Sequence, residues 1–90
     1  MVTLQGYILV PDSDLSSIEE ELPNHIRLTQ EEEGCRVFEV SQDTDNANRF
    51  NVYEEFSSRS SFESHQRRVP SSRWGQISKH LQRHYQVTES

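Results

Sequence analysis

The 90-residue chain is poor in the residues that usually announce a function. It has one cysteine, Cys35, which excludes an intrachain disulfide and any CxxC metal or redox pair. In a strand-like run that cysteine reads as a small buried hydrophobe before a reactive thiol. Only three glycines are present, and none belongs to a loop that could cradle phosphates. GxSxG and HExxH are also absent, which removes the commonest serine-hydrolase and zinc-protease patterns. No stretch approaches the roughly 20 apolar residues of a membrane span. MVTLQGYILVPD lacks the basic start, long apolar run and cleavage site of a signal peptide. A soluble cytoplasmic protein is expected.

Apolar residues are scarce as well. They make up 31% of the chain, and the mean hydropathy is -0.89. A single domain over residues 1–90 can then bury one modest core with little stability to spare. A partner chain covering an apolar face is the simplest remedy, so an oligomer is expected. The net charge of -6 is unevenly spread. Residues 1–45 carry 11 acids and 2 bases, whereas residues 46–90 carry 4 acids and 7 bases. Such charge runs read first as solvated faces, and the overall acidity weighs against nucleic-acid binding.

The patterned segments are clear. VTLQGYILV (2–10) alternates as a strand, with Val2, Leu4, Gly6, Ile8 and Val10 on one face. Asp12, Ser13 and Asp14 then offer helix caps, and Leu15, Ile18, Leu22 and Ile26 follow at helical spacing. Pro23 should bend or split that helix, and Gly34 should stop it. CRVFEVS (35–41) and RFNVYEEF (49–56) read as a hairpin around the turn QDTDNAN. Ser60 with Glu63 fits a capping box, predicting a helix over about 60–69 that Pro70 interrupts. SSRWGQISKHLQRH reads as a further helix with Trp74, Ile77 and Leu81 on one face, and Tyr85–Val87 as a short final strand. The order β-α-β-β-α-(α)-β is the split βαβ, or ferredoxin-like, α+β pattern. Helices should cover one face of an antiparallel sheet and leave the other open for a second copy.

Two polar residues interrupt the apolar stripes. Glu54 shares a strand face with Phe50, Val52 and Phe56, and His65 shares a helix face with Phe62 and Val69. If the stripes pack together, both enter one space, where an unpaired carboxylate would be costly. The pair is either a strand-to-helix fastener or a general acid and base for proton abstraction. Trp74 is core or pocket wall, and Tyr53, on the opposite strand face, suits dimer packing. His80 and His84 are four apart, which on a helix is metal-compatible spacing, but no third ligand accompanies them. No metal is therefore expected. Arg67, Arg68 and Arg73 read as surface cations that could also hold an anionic ligand.

In this order and spacing the motifs resemble those of the antibiotic biosynthesis monooxygenase-like family of small dimeric α+β-barrel proteins. LPNHIRLTQEEEGCRVFEV is similar to the family's first helix and second strand, NVYEEFSSRSSFESHQ to its strand-end and single-His helix, and RWGQISKHLQRHY to its closing helix. The resemblance implies a homodimer and a cofactor-independent monooxygenase acting on small aromatic or quinol substrates with O2. Catalytic Glu54 and His65 would sit in a pocket shaped by Phe56, Phe62 and Trp74. Phe56 stands where such oxygenases often place a Trp; the Asn that accompanies it there has no counterpart on this face, because Asn51 falls on the other side of the strand. The family also admits an isomerase of a small phosphorylated or carbonyl metabolite, and a non-catalytic dimeric ligand-binding or stress protein.

Overall fold

In the computed structural model, which describes residues 1–90, the period-2 run at the start forms β1 (Val2–Leu9). It is followed by α1 (Asp12–Gln30), β2 (Cys35–Gln42), β3 (Arg49–Phe56), α2 (Arg59–Arg68), α3 (Arg73–Ser78) and β4 (Gln82–Glu89). A 3-10 turn at Val69–Ser71 joins α2 to α3. The strands form one antiparallel sheet in the order β2-β3-β1-β4, as the split βαβ reading requires.

The alternation sets the layers. Val2, Leu4, Ile8, Phe50, Val52, Phe56, Phe38 and Val40 are all buried, and they meet Ile18 of α1, Phe62 of α2 and Trp74 of α3. Glu54 holds the same parity in β3 and is 5% exposed. Arg36 escapes the expected alternation because the β2–β3 register shifts between Cys35 and Val37; a bulge there turns Arg36 out to solvent. No helix is long and apolar enough to cross a membrane.

Helix boundaries depart from the sequence expectation in several places. Of the two outcomes expected at Pro23, a split does not occur: α1 runs from Asp12 to Gln30 with the proline inside it. Pro23 and Glu19 both lie on the exposed side of the helix, so water can reach the carbonyl that loses its N–H partner. The residue before α1 is Pro11, with no side-chain cap; Asp12 instead accepts from Asn48 Nδ2 at 2.8 Å. The same Asn48 amide donates to Val10 O at 2.7 Å and locks the β2–β3 turn to the end of β1. Ser58, not Ser60, caps α2, accepting from Ser61 N at 3.2 Å. The helix expected to run through residue 84 ends at Ser78, because residues 82–89 pair with β1 along its whole length.

β4 differs from the other strands. Tyr85 and Val87 share the inner face of the sheet, paired with Gly6 and Leu4, yet they are 38% and 45% exposed. Gly6 is what lets β4 approach: a Cβ at that position would lie 1.9 Å from the His84 carbonyl oxygen.

Candidate functional site

Strand parity and helix spacing bring Glu54 and His65 together, as the sequence suggests. His65 Nε2 lies 3.9 Å from Glu54 Oε1, too far for a hydrogen bond but within reach of a small shift. On the other side of the ring, His65 Nδ1 is 2.7 Å from Glu32 Oε1. Glu32 in turn receives the Arg68 guanidinium through Nε, and Arg68 also donates to Thr29 Oγ1 at 3.2 Å. A relay therefore runs Arg68–Glu32–His65···Glu54, with residues drawn from the turn between α1 and β2, from α2 and from β3.

The electrostatics follow from burial. Removal from water pushes the Glu54 carboxyl up to about 8, and the Glu32 charge adds to the effect. At neutral pH Glu54 is therefore largely a carboxylic acid, and its buried Oε1 has no hydrogen-bond partner. Burial also lowers His65, outweighing the attraction of Glu32. The ring is thus neutral, and its carboxylate partner assigns the proton to Nδ1. The unprotonated Nε2 faces Glu54. Acid and base stand side by side, each in the form that proton transfer at neutral pH needs.

A second imidazole completes the cluster. His25 of α1 is 4% exposed, stacks flat on Trp74 at 4.6 Å and 4°, and lies 6.3 Å from the His65 ring. Burial drives it down to about 3, assisted by repulsion from His65 and Arg68. Its Nδ1 has no partner. Phe56 lies 5.1 Å from His65, Phe38 5.7 Å, and Phe62 meets Phe56 edge-on at 5.8 Å. Of the expected pocket residues, Trp74 and Phe56 thus pack directly on the two imidazoles, and Phe62 packs behind Phe56. None of the five surface hollows is lined by them, by Glu54 or by either histidine. The cluster is closed in this conformation.

Glu32 and His25 are not among the residues the sequence singles out, and Arg68 is, but only as a surface cation able to hold an anion. Glu32 belongs to an acidic run that reads as solvated, and Arg68 to a basic one. His25 had a usable signal, since it follows Ile18 by seven residues and Leu22 by three on the buried stripe of α1. The other candidates disperse. Arg67 donates to Ser64, and Arg73 faces Glu21 at 3.7 Å. His80 lies beyond α3 and pairs with Asp14 at 2.9 Å, whereas His84 is in β4 and stacks on Tyr7 at 4.7 Å. The helical face proposed to bring these two histidines together does not exist. No group of three or more His, Cys, Asp or Glu side chains is arranged to hold a metal ion. Cys35 is only partly buried, but burial raises its thiol, followed by the charges of Glu32 and Glu54.

A ferredoxin-like α+β domain with a buried His–carboxylate cluster between sheet and helices is the class this geometry defines. The chain belongs to the antibiotic biosynthesis monooxygenase family, whose model matches residues 1–84. Its fold recurs in a Deinococcus radiodurans protein provisionally named an antibiotic biosynthesis monooxygenase, at 16% identity and TM-score 0.80 over 100% of this chain and 92% of that one. A Nitrosomonas europaea protein named in the same provisional way is also 16% identical, with TM-score 0.80 over 100% and 98%. Rv0793 from Mycobacterium tuberculosis is 22% identical, with TM-score 0.71 over 97% and 89%. No protein of curated function matches the chain in sequence.

Proposed function

We propose that the protein is a cofactor-independent monooxygenase of small aromatic or quinol-type substrates, with His65 as the base and Glu54 as the acid. The observation that carries this reading is the placing of His65 between two carboxyls, Nδ1 at 2.7 Å from Glu32 and Nε2 at 3.9 Å from the buried Glu54. The base takes a proton from a ring carbon or hydroxyl acidified by the aromatic system. The resulting carbanion adds O2, and the peroxide loses water to leave a new carbonyl, so that CH2 and O2 become C=O and H2O. Glu54 supplies the proton that lets hydroxide depart as water, and the surrounding rings exclude solvent. Arg68 and Glu32 are positioning residues that fix the tautomer.

Substrate entry needs side chains to move, because no open cavity borders the pair. The exposed inner face of β4, one strand beyond β1, is the natural door. A homodimer through the open sheet face, where Tyr7, Leu9, Val37 and Tyr53 are half-buried, is part of the same proposal.

Oxygen uptake by metal-free protein with a panel of quinols, hydroxynaphthalenes and anthrones tests the reading. His65→Ala should lower turnover by about 10²–10⁴ while substrate still binds. Turnover unchanged in a folded His65→Ala protein would show that the pair only fastens strand to helix.

A further inference from the structure

A hollow of 240 Å³ opens where α2, α3 and β4 meet, lined by Gln66, Val69, Pro70, Gly75, Lys79 and Arg83. In a chain with 15 acids, this hollow has two cations and no carboxylate in its lining. The Arg83 guanidinium is built in rather than loose. It donates to Ser78 O at 2.8 Å, to Leu81 O at 3.2 Å and to Ser78 Oγ at 2.8 Å, and Ser78 is fully buried. A guanidinium has five N–H donors, so those three bonds fix its plane and leave donors over. Lys79 is exposed, and its ammonium makes no hydrogen bond or ion pair within the chain.

The hollow adjoins the buried cluster. Tyr85 projects from the inner face of β4 over Gly6, where no side chain opposes it. Tyr85 is 38% exposed, and both Arg83 and Glu54 are close enough to act on its phenol. Burial, with a smaller push from Glu54, raises that phenol to about 12, so it remains a neutral donor. Tyr85 thus connects Arg83, in the lining of the hollow, with Glu54 of the candidate reacting pair.

We infer that this hollow is an oxyanion subsite, in which Arg83 and Lys79 grip the carboxylate or phosphate of the substrate while Gln66 offers an amide. The volume is below the roughly 300–1,000 Å³ of pockets that enclose a whole ligand. It therefore takes a head group, and the body of the substrate extends past Tyr85 toward Glu54 and His65. This assignment rests on the reading of that pair as the reacting centre and adds that its substrate is an anion. Arg83 is the only arginine in the lining, and Arg68 and Arg73 already face Glu32 and Glu21.

Titration of the full chain with inorganic phosphate and, separately, with benzoate and a hydroxynaphthoate, followed by backbone amide shifts, tests the subsite without requiring turnover. Shifts should concentrate at residues 66–83 and Tyr85, and the probe that binds tighter names the oxyanion. Lys79→Ala should weaken binding about threefold, and Arg83→Lys, which keeps the charge but loses the fork, about tenfold. Shifts that scatter over other surfaces, or equal affinity in a folded Arg83→Lys protein and the parent, overturn the subsite. Binding lost in Arg83→Lys supports the subsite even if no substrate consumes O2. Uncharged and anionic substrates oxidised equally well by parent and Arg83→Lys would overturn it while leaving the oxygenase reading intact.

Discussion

The α1 and α2 sides of the cluster each bury one imidazole, to the same 4% exposure. Both rings are pushed below their ordinary value by burial. They differ in what meets their nitrogens. His65 has Glu32 at 2.7 Å, and behind it Arg68, so its tautomer and its orientation are both fixed. His25 has the face of Trp74 and an Nδ1 with nothing to bond. Burial alone yields an inert neutral ring; burial with a clamped carboxylate yields a neutral ring whose lone pair is aimed. That difference is why His65, not His25, is the base of the proposed chemistry.

Breaking the clamp should have the largest effect on stability. Glu32→Ala leaves the Arg68 guanidinium and the His65 Nδ1–H without their acceptor. The loss should be about 2–3 kcal/mol, at the low end for a broken buried pair because Arg68 is partly exposed. Urea unfolding measures it, and a loss under about 0.5 kcal/mol would make the clamp an ordinary surface pair.

The pH dependence sharpens the contrast next. Glu54 ionises at about 8 when folded against 4.5 when free. Its contribution to stability is therefore full below 4.5 and drains away as pH rises toward 8. His25 works in the opposite sense, at about 3 folded against 6.5 free, so its burial costs most below pH 3 and nothing above 6.5. His65, also lowered, adds to the acid side. Stability should peak between about 4.5 and 6.5 and fall on both flanks. Glu54→Gln should flatten the alkaline flank, and His25→Phe, which keeps the stack on Trp74, should flatten the acid one. Urea midpoints against pH read both; an alkaline fall unchanged in Glu54→Gln would return that carboxyl to an ordinary titration.

The smallest effect belongs to a histidine–carboxylate pair on the surface. His80 and Asp14 are 2.9 Å apart with side-chain exposures of 55% and 28%. His80→Ala should cost no more than about 0.5 kcal/mol by the same urea measurement. A larger loss would mean that burial is not what separates this pair from His65 and Glu32.

Where the sequence spoke clearly, it did so through periodicity. The alternation of Phe50, Val52, Glu54 and Phe56 placed the carboxyl inside, and the spacing of Phe62, His65 and Val69 brought the imidazole to it. The partners on the charged runs carried no such mark. Glu31, Glu32 and Glu33 are equivalent in sequence, and only the turn into β2 selects the middle one to face α2. The last segment misled for another reason. HLQRH is as amphipathic in a helix as in a strand, and pairing with β1, a contact distant in sequence, decided for the strand. Pro23 stays inside α1 without splitting it because the carbonyl that loses its partner there faces water.

The pairing of β4 with β1 has a kinetic side. β1 lies between β3 and β4, so the central strand is finished only when the two most distant segments of the chain meet. β2 and β3 close early across their own turn, whereas the β1–β4 ladder raises the contact order and bears the longest loop closure in the molecule. With all eight residues of β4 exposed, little burial offsets that closure entropy. β4, one strand beyond β1 from Glu54, is thus the part of the sheet held most weakly and its most readily opened element.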